Sequence, residues 1–154
     1  MFRILLICTG NTCRSPMAAA LLAGMVEKAG LSGRITVESA GIAAWGQPAS
    51  PQAQAVMRQS GLSVDKHRSR QVAPEELATA DLILTMTASH KRAALGMAPG
   101  MAGKIYTLAE FAGETGDVRD PYGGSETEYR ECAVQLERLL AQSWQNIVSL
   151  AGKK

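Results

Sequence analysis

The chain opens on an unbroken apolar run, Ile4-Leu5-Leu6-Ile7, within the segment Phe2 to Cys8. A run with no polar alternation predicts a strand covered on both faces, as in a parallel sheet. From Ser15 to about Ala29 the sequence becomes rich in Ala and Leu and stops at Gly30, which predicts a helix. The two patterns then alternate. Arg34 to Glu38 reads as a second strand, Gly41 to Ser50 as a loop, and Pro51 to about Ser60 as a helix closed by Gly61. Pro74 to Thr79 reads as a short helix opened by its proline, and Asp81 to Thr85 as a third strand. Ala88 to about Leu95 is helical, Lys104 to Leu108 is a fourth strand, and Ala112 to Ser125 is a Gly-rich loop. The last helix opens on a capping box, Ser125 with Glu128, and carries Tyr129, Cys132, Leu136, Leu139, Leu140, Ile147 and Leu150 on one stripe.

Strands alternating with helices predict an α/β fold, a single-domain open parallel sheet of about four strands with helices on both faces and right-handed crossovers. A chain of 154 residues suits one such domain over residues 1–154. Open sheets of this kind hold ligands at the C-terminal ends of their strands. Here that end of the first strand runs directly into Cys8-Thr9-Gly10-Asn11-Thr12-Cys13-Arg14-Ser15-Pro16. The residues between Cys8 and Arg14 suffice for a loop to curl around one tetrahedral anion with its N–H groups turned inward. Pro16 suits the first helical turn, so the positive end of the helix points into the same loop and favours a thiolate at Cys8. Arg14 adds paired donors matched to two phosphate oxygens, and Ser15 adds a donor for the sulfur anion. The sequence thus predicts a phosphate loop from Thr9 to Ser15, with Cys8 as a nucleophile facing the bound phosphorus.

Composition narrows the classes further. Sixteen basic and fourteen acidic residues give a net charge of +2, without a basic cluster dense enough for a nucleic-acid footprint. The N-terminal apolar run is broken at once by Thr9-Gly10-Asn11, too short for a signal-peptide core or a membrane span, so no membrane insertion is expected. Three cysteines are an odd number, and a thiol nucleophile works only when reduced; both favour a reducing, cytoplasmic setting. Cys8 and Cys13 are too far apart for a paired-ligand knuckle, and only Cys132, His67 and His90 remain to complete a zinc set. No metal or other cofactor is expected. Cys132, on the apolar stripe, reads as core.

Asp120 is the candidate general acid, because Pro121, Gly123 and Gly124 make a stiff-then-flexible loop able to place a carboxyl over a cleft. Asp117, Arg68 and Arg70 read as solvated. Cys13, close in sequence to Cys8, permits a reversible Cys8–Cys13 disulfide that would protect the nucleophile from over-oxidation.

Cys8 to Met17 resembles the active-site loop of the low-molecular-weight protein tyrosine phosphatases, and Asp120-Pro121-Tyr122 resembles their general-acid loop. Glu38-Ser39-Ala40-Gly41 with Trp45, His67-Arg68-Ser69-Arg70-Gln71 and Asp81-Leu82-Ile83-Leu84-Thr85-Met86 follow the same family pattern in order. The resemblance implies a phosphocysteine intermediate on Cys8, later cleaved by water, and a general-acid role for Asp120. It also implies a network of Asn11, Ser39 and His67 supporting the loop, and a cleft rim formed by Trp45 and Tyr122. Without it, His67 would read as solvated. His90 gains no such support.

Thr12 replaces the aliphatic residue of the tyrosine-specific pattern, and Gly123 replaces its second aromatic. Both departures resemble the protein arginine phosphatase branch, with C-T-G-N-T-C-R-S and D-P-F-G-G-S; Asp120 to Ser125 here reads D-P-Y-G-G-S. The expected activity is therefore hydrolysis of protein phosphoarginine, with a phosphorylated protein as substrate and inorganic phosphate as product. Phosphotyrosine is the alternative, since Trp45 and Tyr122 still offer an aromatic slot. Arsenate reduction would need relay cysteines, and none lies between Cys13 and Cys132. A non-catalytic phosphoresidue-binding module would have lost Cys8, Arg14 or Asp120, all of which are present.

Overall fold

Successive side chains of a strand point to opposite faces, so an apolar run is stable only when both faces are covered. The computed structural model, which describes residues 1–154, shows this arrangement. Strand β1 (Phe2–Cys8) sends Ile4, Leu6 and Cys8 into one apolar cluster and Leu5 and Ile7 into a second. Helices α1 (Arg14–Lys28), α2 (Pro51–Gln59) and α6 (Glu126–Gly152) pack on the first, through residues such as Met17, Leu22, Met57, Tyr129 and Leu136. Helices α3 (Pro74–Thr79) and α4 (Ala88–Met97) contribute Leu77 and Ala94 to the second. Strands β2 (Ile35–Gly41), β3 (Leu82–Thr85) and β4 (Ile105–Thr107) complete a parallel sheet in the order β2-β1-β3-β4. The α/β single-domain reading is correct, and no helix is long and apolar enough to cross a membrane.

The differences from the sequence reading lie at element ends and in one short additional helix. β2 continues past Glu38 because Ser39, Ala40 and Gly41 pair with Leu6, Ile7 and Cys8 of β1, a tertiary match that no local propensity announces. β4 stops at Thr107, not Leu108, because Thr107 caps a short helix α5 (Leu108–Phe111) that the sequence reading missed. There Thr107 Oγ1 accepts from Glu110 N at 3.0 Å, and Glu110 Oε1 accepts from Thr107 N at 3.2 Å. At α6 only half of the expected box forms: Ser125 Oγ accepts from Glu128 N at 3.3 Å. Leu150 is only partly buried.

Pairing of Cys8 with Gly41, and of Ile7 with Thr85, brings the C-terminal ends of β1, β2 and β3 to one rim of the sheet. Helix α1 leaves the same rim. Its first turn holds no acidic residue and no side chain caps it, so its positive end is unclaimed.

Candidate active site

The loop after β1 turns carbonyls outward and ties them to the chain that follows β2. Ile42 N donates to Cys8 O at 3.0 Å, Ala43 N to Thr9 O at 2.9 Å, and Ser50 N to Thr12 O at 3.0 Å. His67 Nε2 donates to Asn11 O at 2.6 Å, and the carbonyl, which only accepts, fixes the proton on that nitrogen. The N–H groups of Thr9, Gly10, Thr12 and Cys13, by contrast, have no acceptor within the protein. A ring of unclaimed donors beside a free helix N-terminus is suited to hold an anion.

Asn11 makes the curl possible. It adopts φ +56°, a left-handed conformation that Asn tolerates better than most residues, and its side chain is completely buried. Its Nδ2 donates to Ser15 Oγ at 2.8 Å and to Ser39 Oγ at 2.9 Å, while its Oδ1 accepts from Arg70 N at 3.0 Å. Because Ser15 Oγ already accepts from Asn11, its own proton is free for Cys8 Sγ, 2.9 Å away. Asn11 N also donates to Cys8 Sγ at 3.3 Å. Two donors converge on one buried sulfur, the arrangement a thiolate requires.

Arg14 is 5% exposed. Its Nη1 donates to Val118 O at 3.1 Å, and its Nη2 lies 3.5 Å from Asp120 Oδ2, so the guanidinium links the loop to the Asp120 segment. Asp120 itself is half-exposed and accepts from Tyr122 N at 3.1 Å, a turn that sets its carboxyl at the mouth of the site. The cleft between them measures about 360 Å³. Cys8, Thr9, Gly10, Thr12, Cys13 and Arg14 line it together with Trp45, Gln47, Asp120 and Tyr122. Trp45 and Tyr122 are 78% and 76% exposed, which leaves both rings free to be covered by a ligand.

Of the residues expected at the site, Cys8, Thr9, Gly10, Thr12, Cys13, Arg14, Trp45, Asp120 and Tyr122 line this cleft, and Asn11, Ser15, Ser39 and His67 stand behind it in the hydrogen-bond network of the loop. Cys13 is buried with its Sγ 3.2 Å from Tyr129 OH, and burial raises the Tyr129 hydroxyl well above its ordinary range. Cys132 is core, its thiol pushed up to about 12 by burial. His67 is held below its usual pKa, first by burial and then by the Arg70 charge, against the opposing effect of its bond to Asn11.

Three side chains without a role in the sequence reading have partners here. His90 is buried, its Nε2 lies 2.7 Å from Thr9 Oγ1, and burial followed by the Arg14 charge pushes its pKa to about 4. Arg70 pairs with Glu76 and, at 3.0 Å, with Glu38, while its N–H holds Asn11. Asp117, though exposed, accepts from Ala88 N at 2.9 Å at the start of α4. Apart from Glu76, six residues from Arg70, these partners are distant in sequence, so no local pattern reveals them. No group of three or more His, Cys, Asp or Glu side chains is placed to hold a metal ion.

Cleft, fold and loop together define a hydrolase, and comparison with known proteins agrees. The family model for low molecular weight phosphotyrosine protein phosphatase matches residues 3–150, and the chain belongs to that family. It is 43% identical over 141 residues to the protein-arginine-phosphatase of Geobacillus stearothermophilus, covering 90% of this chain and 91% of that one. The low molecular weight protein tyrosine phosphatase of T. tengcongensis matches it with a TM-score of 0.90 at 38% identity, over 95% of this chain and 99% of that one. The YwlE arginine phosphatase, solved as a Cys-to-Ser mutant with a phosphorylated active-site serine, matches with a TM-score of 0.89 at 36% identity and 95% coverage of both chains.

Proposed function

We propose that the chain is a protein phosphatase that works through Cys8 and favours phosphoarginine. The observation that carries the phosphatase reading is the pair of donors, Ser15 Oγ and Asn11 N, on a buried Cys8 sulfur beside the unclaimed loop N–H groups. Cys8 Sγ attacks phosphorus, the S–P bond forms as the P–N bond breaks, and Asp120 gives its proton to the departing guanidine nitrogen. Charge on the equatorial oxygens is stabilised by the loop N–H groups and Arg14. Asp120 then takes a proton from water, which attacks the phosphocysteine and releases inorganic phosphate and the Cys8 thiolate. The phosphorylated serine in the related mutant supports attack from this position. A phosphorylated protein is the natural substrate, and a reduced Cys8 suits the cytoplasm.

Thr12 supports the arginine branch. It lines the cleft and offers a hydroxyl to a planar, polar phosphoguanidinium, which an aliphatic residue could not. The relative from Geobacillus stearothermophilus carries the name of that activity. The second reading, phosphotyrosine, is favoured by the exposed rings of Trp45 and Tyr122, which could flank a phenyl group. Comparison of kcat/KM on phosphoarginine and phosphotyrosine peptides decides between them: a preference for phosphotyrosine overturns the first reading, and inactivity on both overturns the phosphatase assignment of the cleft.

A further inference from the structure

His90 stands outside the mechanism above, yet it is buried against the loop. Its backbone N–H is held by Thr87 Oγ1 at 3.1 Å in the first turn of α4, which fixes where the ring sits. One ring nitrogen, Nε2, meets Thr9 Oγ1 at 2.7 Å; the other, Nδ1, is buried with no partner. The tautomer follows from that asymmetry. A buried N–H without an acceptor is rarer than an acceptor left unfilled, so the proton resides on Nε2 and is donated to Thr9 Oγ1. Burial and the nearby Arg14 charge keep the ring neutral, against the weaker pull of Asp117 and Asp120. Thr9 Oγ1 has no other partner in the protein, and Thr9 lines the cleft. With one lone pair occupied by His90, its proton is directed away from the ring.

We propose that His90 is a positioning residue that fixes the Thr9 hydroxyl as a hydrogen-bond donor to the phosphoryl group bound in the cleft. This rests on the phosphatase reading of the cleft. It makes Thr9 a side-chain contact as well as a backbone one, and it differs from the role of Thr12: Thr9 addresses the phosphoryl oxygens that every substrate shares, whereas Thr12 addresses the leaving group.

The test uses the full chain with Thr9→Val, His90→Phe, His90→Gln and the Thr9→Val/His90→Phe double variant. Each is assayed for kcat/KM on phosphoarginine and phosphotyrosine peptides, with melting temperature in parallel. Loss of a donor to a charged group predicts a fall of about ten- to a hundredfold for Thr9→Val and for His90→Phe. The factor should be the same on both substrates. The double variant should be no worse than Thr9→Val alone, because the two side chains act as one unit. His90→Gln, whose amide can donate from a similar reach, should recover most of the activity. Additive losses, a loss confined to one substrate, or a folded His90→Gln as poor as His90→Phe would each overturn the proposal. Should His90→Phe not fold, His90→Gln against Thr9→Val decides: recovery supports the relay, and equal loss removes it. A wild-type chain inert on both substrates overturns the parent reading, whereas an active wild type with uncoupled variants overturns this inference alone.

Discussion

Gly41 ends β2 directly opposite Cys8, and a single methyl group there should disable the loop. A Cβ built at this position would lie 2.6 Å from Thr9 O, 3.0 Å from Asn11 Cβ and 3.1 Å from Ala44 Cβ. Its φ lies outside the left-handed region, so alanine meets no backbone strain and contact alone opposes it. The nearest obstacle is a carbonyl already tied to Ala43 N at 2.9 Å, not a side chain that could swing aside. Relief to ordinary contact at 3.4 Å requires β2 and Thr9 to separate by about 0.8 Å. Overpacking of this kind costs about 1–3 kcal/mol, and a chain of this size loses roughly 2–4 °C of Tm per kcal/mol. The functional effect should be larger, because a misplacement of about 1 Å at a reacting centre can cost about a hundredfold in rate. We expect Gly41→Ala to melt several degrees lower and to lose about ten- to a hundredfold in kcat/KM on an aryl phosphate, read by differential scanning calorimetry and steady-state kinetics. Gly33→Ala, whose Cβ would meet nothing within 4 Å, is the control and should change neither. Wild-type Tm and kcat/KM in Gly41→Ala would refute the reasoning. Lowered stability with intact turnover would refute its link to the loop.

Asp120→Asn should lower kcat by roughly a hundredfold or more on substrates with poor leaving groups and much less on an activated aryl phosphate; equal losses on both would remove Asp120 from the acid role. Thr12→Ile should move the ratio of phosphoarginine to phosphotyrosine hydrolysis by about ten- to a hundredfold toward tyrosine, and a parallel change in both would confine Thr12 to supporting the loop. His90 has its pKa lowered from 6.5 to about 4, so the unfolded chain takes up a proton that the folded chain refuses. Its neutral form therefore gives full stability above pH 6.5, and up to about 3 kcal/mol is lost as pH falls toward 4. Urea unfolding at pH 7 and 4.5 should show a larger drop for wild type than for His90→Phe, and equal drops would contradict this. Mild peroxide should inactivate the enzyme through a thiol-reversible Cys8–Cys13 bridge, and Cys13→Ser should make the loss harder to reverse as Cys8 proceeds to sulfinic acid; peptide mapping that finds Cys13 always free would exclude the bridge.

The range of each interaction decides what the sequence discloses. β1 is legible because Ile4, Leu5, Leu6 and Ile7 must be covered on both sides, whatever covers them. The anion loop is legible for a related reason: its donors are its own N–H groups and Arg14, all within a few residues of Cys8. What holds the loop in shape is different in kind. The outward carbonyls and the Asn11 side chain depend on Ile42, Ala43, Ser50, His67 and Arg70, all carried by the long connection from β2 to β3. No periodicity marks such residues. His67 gains a role only through the family resemblance, Arg70 reads as solvated, and His90 draws no role from the sequence at all. Gly41 carries no physical signal in the sequence, and only the strand register sets it against Thr9 O. The asymmetry has a functional reason. A loop that satisfied its own N–H groups locally would have none left for a ligand, so the groups that fix it must come from elsewhere in the chain, and the empty donors are the part written at the site itself.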